Sequence, residues 1–177
     1  MGEGSRARTC VTVDRVGNVY VTGESNGSFA TVKYRSSDGA QLWVRASSGG
    51  LANCRPVAVA VDNAGNVYVA GTGTFSGSDT SYLTVKYAPN GNEIAVQLYD
   101  STLGTERLTA AVLDRAMNLI VTGFSVDPYS YGYGAEIVTI KYATGAPISN
   151  EGDVNGDGCV DDADLLIVLF NFGRGCN

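Results

Sequence analysis

Three copies of one sequence pattern occupy most of this chain and constrain its fold more than any other feature. The copies read VTVDRVGNVYVTG from Val11, VAVDNAGNVYVAG from Val59 and AVLDRAMNLIVTG from Ala111, so they begin 48 and 52 residues apart. A repeat of this length is one supersecondary unit that buries its apolar face against the next copy. The chain is therefore predicted to be a row of similar units.

Each copy has the pattern of antiparallel β-strands. Valines alternate with other residues on both sides of a D-x-x-G-N stretch, which is the period of a strand interrupted by turn chemistry. Asp62 is expected to bond the turn backbone, and Gly65 to supply a positive φ. A T-V-K-Y segment predicts a third strand, and residues 41–44 and 93–98 predict a fourth. The prediction is an all-β fold.

These elements resemble the beta-propeller repeat of bacterial secreted proteins. The resemblance implies a partial beta-propeller of about three four-stranded antiparallel blades within residues 1–147. The third copy departs from the pattern at Met117 and Asn118, and its fourth strand is missing or degenerate. The blades are predicted at about residues 8–46, 55–100 and 106–147.

Three blades do not close a ring, because propellers typically have four to eight. Three alternatives remain: the chain is part of a longer one, copies associate, or open blades stack into an assembly.

Within each blade, the aspartates are predicted to be turn caps, and the lysines to be polar exterior residues or partners of a neighbouring acid. These residues are Asp14, Asp62 and Asp114, and Lys33, Lys86 and Lys141.

The C-terminal segment DVNGDGCVDDADLLIVLFNFG has the spacing of a calcium-binding loop followed by a helix. Calcium takes six to eight hard oxygens, which a twelve-residue loop supplies from positions 1, 3, 5, 7, 9 and 12, with glycine at position 6. Gly158 fills position 6. The ligand positions are filled by Asp153, Asn155, Asp157, the carbonyl of Cys159, Asp161 and Asp164.

This segment resembles half of a dockerin domain, an EF-hand-like unit, and the unit is assigned to residues 148–177. By that resemblance Asp162 and Ala163 contact a partner, which would be a cohesin-like protein or another copy of this chain. Dockerins that bind cohesins usually have two such repeats, whereas one is present here. A second candidate binding feature is the set of loop tyrosines Tyr129, Tyr131 and Tyr133, which suit stacking on carbohydrate, protein contacts, or packing of the loop on itself.

Four cysteines without a C-x-x-C pair favour two disulfides over a zinc site. Cys159 and Cys176 flank the C-terminal unit and are the favoured pair, which would leave Cys10 and Cys54, although all three connectivities remain open. The sequence contains no signal peptide and no run of transmembrane length, so an extracellular location would require an upstream segment.

Composition argues against catalysis and against nucleic acid. The chain has no histidine and a net charge of −6, and no cluster of lysine and arginine is visible along it. Candidate acids Glu24, Asp79 and Glu136 have no assignable partners. We therefore expect a non-catalytic extracellular calcium-binding module, a homo-oligomer or part of a longer chain. The alternative is a terminal piece of a propeller-type carbohydrate-active enzyme tethered by its dockerin-like unit.

Overall fold

The structure, a computed structural model, describes residues 8–76, 79–101, 105–126 and 135–143. The secondary structure within these ranges consists of β-strands joined by turns, so the all-β prediction is confirmed. The strands are β1 (Thr9–Val13), β2 (Val19–Ser25), β3 (Ser28–Tyr34), β4 (Gln41–Ser47), β5 (Ala52–Val61), β6 (Val67–Ser76), β7 (Asp79–Tyr87), β8 (Glu93–Tyr99), β9 (Thr105–Leu113), β10 (Leu119–Val126) and β11 (Ala135–Tyr142).

The strands form three antiparallel sheets in which neighbours in sequence are neighbours in space. Blade 1 has the order β1-β2-β3-β4, blade 2 has the order β5-β6-β7-β8, and blade 3 has the order β9-β10-β11. Blade 3 thus has three strands in the described part of the chain. This arrangement of successive meander sheets is consistent with partial propeller blades.

An aspartate at the turn closes the first hairpin of each blade with a network of hydrogen bonds. In blade 2, Asp62 Oδ1 accepts hydrogen bonds from the backbone N–H groups of Ala64 (2.9 Å) and Asn66 (2.8 Å), and Oδ2 accepts one from Asn66 Nδ2 (2.8 Å). Gly65 adopts a φ of 83°. The same bonds occur at Asp14 and Asp114, so the prediction that these aspartates cap turns is confirmed.

The third turn keeps this geometry without its glycine. Met117 adopts a φ of 65°, and its N–H bonds the Asp114 carbonyl at 2.9 Å, as the Gly65 N–H bonds the Asp62 carbonyl at 3.0 Å. A left-handed conformation is unfavourable for a residue with a Cβ. The hydrogen bonds accepted by Asp114 therefore hold the turn against that cost.

Each blade packs one face against the next blade, and these contacts form two cores. The first core lies between blades 1 and 2, where Tyr20, Phe29 and Trp43 contact the valine-rich face of blade 2. The second lies between blades 2 and 3 and repeats the arrangement. Its buried members are Tyr68, Ala70, Tyr82, Leu108, Leu119, Val121, Val138, Ile140 and Tyr142.

The lysines of the T-V-K-Y segments depart from the predicted exterior position in two blades. Lys33 and Lys86 are buried, and each Nζ lies 5.1 Å from the ring centroid of a tyrosine, Tyr20 and Tyr68 respectively. Their aliphatic stems pack between blades while the ammonium groups face aromatic rings. The exterior assignment was wrong for these two lysines.

Lys141 behaves differently because blade 3 has lost the tyrosine. Tyr20 and Tyr68 donate hydrogen bonds to Asp14 and Asp62, but Ile120 stands at this position in blade 3. There Lys141 Nζ lies 2.8 Å from Asp114 Oδ2 instead. Hydrogen bonds from Lys141 and then Asn118 hold the pKa of Asp114 well below its usual range. The predicted pairing with an acid is confirmed for this lysine.

The glycine in the second strand of each blade lies beneath the first strand. A Cβ added at Gly71 or Gly123 would collide with the carbonyl oxygen of Arg55 or Arg107, whereas at Gly23 it would stand 3.6 Å from the Arg8 carbonyl, an ordinary contact. Blades 2 and 3 therefore require glycine at this position, and blade 1 does not.

We expect Gly71→Ala to lower the free energy of unfolding by about 1–3 kcal/mol, because the methyl group must displace backbone. Gly23→Ala is the matched control and should change it by about 0.5 kcal/mol or less. Urea denaturation followed by the fluorescence of Trp43 measures both. Equal losses in the two variants would contradict the difference in strand approach.

Candidate functional site

A cavity of about 410 Å³ lies where the first strands of the three blades meet. Strand β5 contacts both β1 and β9, so the first strands are the innermost elements of the three sheets. Residues from all three blades line the cavity. Its size lies within the range of pockets for small molecules, about 300–1,000 Å³.

Three arginines, one from each blade, line this cavity: Arg8, Arg55 and Arg107. They occupy one position of the repeat, because each precedes the residue that pairs with the glycine of the second strand. The pairs are Thr9 with Gly23, Pro56 with Gly71, and Leu108 with Gly123. The repeat itself thus brings one arginine of each blade to this cavity.

Bulges in the first strands obscured this equivalence in the sequence. The register shifts after Pro56 in blade 2 and after Leu108 in blade 3, so Val57 and Thr109 are extra residues with no counterpart in blade 1. Arg8 consequently precedes its turn aspartate by six residues, and the other two arginines precede theirs by seven. An alignment that allowed this one-residue insertion would have found them.

The cavity is a local positive site in an acidic chain. All three arginines are exposed to solvent, and Arg55 Nε lies 4.0 Å from Glu24 Oε2 with 60% of the Arg55 side chain exposed. An exposed pair at this separation neutralises little of the guanidinium charge. Three arginines that are far apart in sequence thus line one cavity, which the spacing of basic residues along the chain does not reveal.

The remaining wall is partly polar and partly apolar. Thr80 and Thr109 donate their hydroxyl protons to the carbonyls of Glu106 (2.6 Å) and Thr122 (3.2 Å). Thr72 Oγ1 accepts the N–H of Leu108 at 3.1 Å. The hydroxyl protons of Thr80 and Thr109 thus serve the fold, whereas the arginines, Asn53, Thr72 and Thr74 remain as donors toward a ligand. Apolar contact comes from Val57, Leu108 and Phe124.

Glu106 is a buried carboxyl group next to Arg107 in the sequence, and it was not among the candidate acids predicted from the sequence. It accepts hydrogen bonds from Ser101 and, at 3.1 Å, from Ser125. Burial raises its pKa. Since it is fully buried, Glu106 is a structural group of blade 3 and does not face a substrate.

A second candidate surface is the outer face of blade 1, here called the front face. A row of paired valines crosses all four strands: Val11, Val21, Val32 and Val44. Val11 is 67% exposed and Val44 is 48% exposed. The same row in blade 2, Val59, Val69, Val85 and Val96, is covered by blade 1 and belongs to its core.

The outer face of blade 3, here called the rear face, is the other end of the stack. Val112 pairs with Ile120, and Phe124 pairs with Ile137. Val112 is 58% exposed and Ile137 is 40% exposed. These residues face away from the core between blades 2 and 3. In blades 1 and 2 the corresponding face covers the next blade.

Cys10 and Cys54 are both free in the structure, so the disulfide that the cysteine count led us to expect for them is not formed. Cys54 is fully buried, and its thiol lies 3.6 Å from the Ser48 carbonyl oxygen. Burial, with a smaller contribution from Glu24, raises the pKa of Cys54 to about 11. Burial also raises the pKa of Cys10, which is half-buried.

Most residues predicted from the sequence to bind ligands fall outside the described residues. Among candidate acids, Glu24 lies beside Arg55, Asp79 is exposed at the start of β7, and Glu136 is on β11. Within the described ranges no three acidic or cysteine residues are placed to hold a metal ion. Outside them lie Asp153, Asn155, Asp157, Cys159, Asp161, Asp162, Ala163, Asp164, Cys176, Tyr129, Tyr131 and Tyr133.

Comparison with known proteins gives a family match over a short segment. The family model described as a beta-propeller repeat matches residues 10–30. No curated protein matches this chain. A crystal structure of a protein of unknown function from Bacteroides caccae is similar, with a TM-score of 0.46 and 10% identity over 81% of this chain. The chain spans 59% of the length of that protein. Within the residues that the structure describes, no helix is long and apolar enough to cross a membrane.

We expect brief alkylation of the native chain at about pH 8 to modify Cys10 faster than Cys54, because thiolate is the reactive form and Cys54 is buried with the higher pKa. The rate at Cys10 should increase with pH. Digestion and mass spectrometry of the two peptides measure this, and unfolding in denaturant before alkylation is the control. A Cys10–Cys54 disulfide-linked peptide would contradict the free thiols.

Proposed function

We propose that this chain is a non-catalytic extracellular interaction module that associates with further copies of itself through its front and rear faces. The proposal includes the C-terminal unit of residues 148–177 as a calcium-dependent docking element. The observation that carries it is the exposed valine row of blade 1, whose counterpart in blade 2 is covered by a neighbouring blade.

The front face exposes a row of apolar side chains on an end blade. Covering an exposed valine side chain contributes about 1.5–3 kcal/mol when burial is complete, so a row of partly exposed valines favours association. Within the chain, blade 1 supplies Tyr20, Phe29 and Trp43 to cover the equivalent row of blade 2. A blade of the same repeat is therefore the surface whose shape fits the front face.

The rear face of a second copy supplies such a blade. Its middle strand, β10, carries Ile120 and Phe124. They lie on the face that corresponds to the Tyr20 face of blade 1 and the Tyr68 face of blade 2. Its contact with a front face joins two different surfaces, so the association is head-to-tail and continues until a ring closes or a filament forms.

The calcium loop adds a second and independent part of the proposal. Its support is the sequence: Asp153, Asp157, Asp161 and Asp164 fall at ligand positions with Gly158 at the sharp turn. Without a cation these carboxylates would repel one another at short range. The unit is proposed to order on calcium and then to bind a cohesin-like partner or another copy.

Head-to-tail association makes a specific prediction for mixtures of two variants. Val11→Glu/Val44→Glu blocks the front face, and Val112→Glu/Ile137→Glu blocks the rear face, all at exposed positions. Light scattering in the presence of a chelator, which prevents calcium-dependent docking, should show oligomers for the unaltered chain and monomers for each variant alone. The mixture should form 1:1 dimers, because one intact face of each kind remains.

The matched control for these variants is Val16→Glu/Phe75→Glu, which adds the same charge at exposed positions outside both faces and should leave the oligomers intact. Oligomers of the rear-blocked variant alone would show that front faces pair with each other. A monomeric unaltered chain at every concentration would contradict self-association.

Calcium binding is tested separately by isothermal titration calorimetry of the full chain. We expect Asp157→Ala to weaken binding by about tenfold or more, because it removes a charged ligand from a site whose affinity depends on ligand charge. Asp38→Ala removes an exposed carboxylate at the turn before β4 and is the matched control. No heat of calcium binding to the unaltered chain would refute this part of the proposal alone.

A further inference from the structure

We propose that the cavity lined by Arg8, Arg55 and Arg107 binds a small organic anion that carries two or more carboxylate, sulfate or phosphate groups. This site lies within one copy of the chain and shares Phe124 with the rear face. Each arginine belongs to the first strand of a different blade, or directly precedes it. Each blade therefore contributes one arginine to the lining of the cavity.

The number and nature of the donors select an anion. A guanidinium group presents paired N–H donors that match the two oxygens of a carboxylate or phosphate, and it stays charged at all relevant pH values. Three such groups around one cavity repel one another unless negative charge lies between them. Glu24 supplies one carboxylate near Arg55, at 4.0 Å, so an excess of positive charge remains.

The spacing of the donors selects a ligand with several anionic groups. The three arginines are carried by separate sheets, and one carboxylate engages one guanidinium in the bidentate geometry. A ligand with two or three oxyanion groups meets more of them at once. The cavity volume of about 410 Å³ has room for a molecule of that size.

The apolar part of the wall favours an organic ligand over a bare inorganic ion. Val57, Leu108 and Phe124 line the cavity beside the arginines. They offer contact to carbon atoms between the anionic groups, which sulfate or phosphate alone lacks. The hydroxyl protons of Thr80 and Thr109 are already donated to backbone carbonyls, so the charged donors of the cavity are its arginines and the neutral ones are Asn53, Thr72 and Thr74.

The site forms because of the repeat and because of its irregularities. The glycine of each second strand lets the first strand, with its arginine carbonyl, approach closely in blades 2 and 3. The bulged residues Val57 and Thr109 then line the cavity themselves. Bulges commonly re-aim neighbouring side chains at binding sites.

Isothermal titration calorimetry at low ionic strength tests the proposal, with citrate as the probe and the full chain as the protein. Citrate should bind, glucuronate with its single carboxylate should bind more weakly, and neutral glucose should not bind. Raising the salt concentration should weaken citrate binding, because screening acts on charged groups that are open to solvent. Absence of citrate binding, or equal binding of glucose, would overturn the proposal.

Single arginine variants locate the binding. Arg8→Gln and Arg107→Gln should each weaken citrate binding by about tenfold, the effect of losing a hydrogen bond between charged groups. Arg115→Gln removes the same charge from an exposed turn away from the cavity and is the matched control, with binding expected to change less than about twofold. Thermal melting checks that each variant is folded. An equal loss in Arg115→Gln, or no loss in Arg107→Gln, would place citrate elsewhere and overturn the assignment.

Discussion

The contact between successive blades is the interaction on which the rest of this structure depends. A single four-stranded sheet with one aromatic face and one valine face cannot bury either face alone. Stacking places Tyr20, Phe29 and Trp43 of one blade on the valine row of the next, and the second core repeats this arrangement. The turns, the buried lysines and the inner cavity all take their positions from this stacking.

The bond between a core tyrosine and the turn aspartate follows from the same contact. Tyr20 must bury its ring against blade 2, so its hydroxyl needs a partner, which Asp14 provides at 3.0 Å. The same aspartate already bonds the turn backbone, and one carboxylate therefore joins turn and core. In blade 3 the tyrosine is replaced by Ile120, and Lys141 takes over the second carboxylate oxygen of Asp114. The network changes partners but keeps the carboxylate satisfied.

Local patterns made the strands and turns predictable, whereas the cavity arises from an irregularity that those patterns do not contain. The period-two valines and the D-x-x-G-N stretch specify a hairpin through contacts a few residues apart. The three arginines are recognised as equivalent only when the bulges in β5 and β9 are counted. Each bulge adds one residue between the arginine and the turn aspartate. Burial of Lys33 was missed for a related reason, since part of its surroundings belongs to another blade, including the Pro89 carbonyl at 3.4 Å.

Net charge describes the long-range field of a protein, and local geometry decides what one site binds. With a net charge of −6, this chain repels polyanions at a distance, yet its repeat places one arginine per blade around one cavity. At physiological salt the screening length is about 8 Å, so distant acidic residues contribute little within the cavity. A small anion inside it is governed by the three guanidinium groups and Glu24.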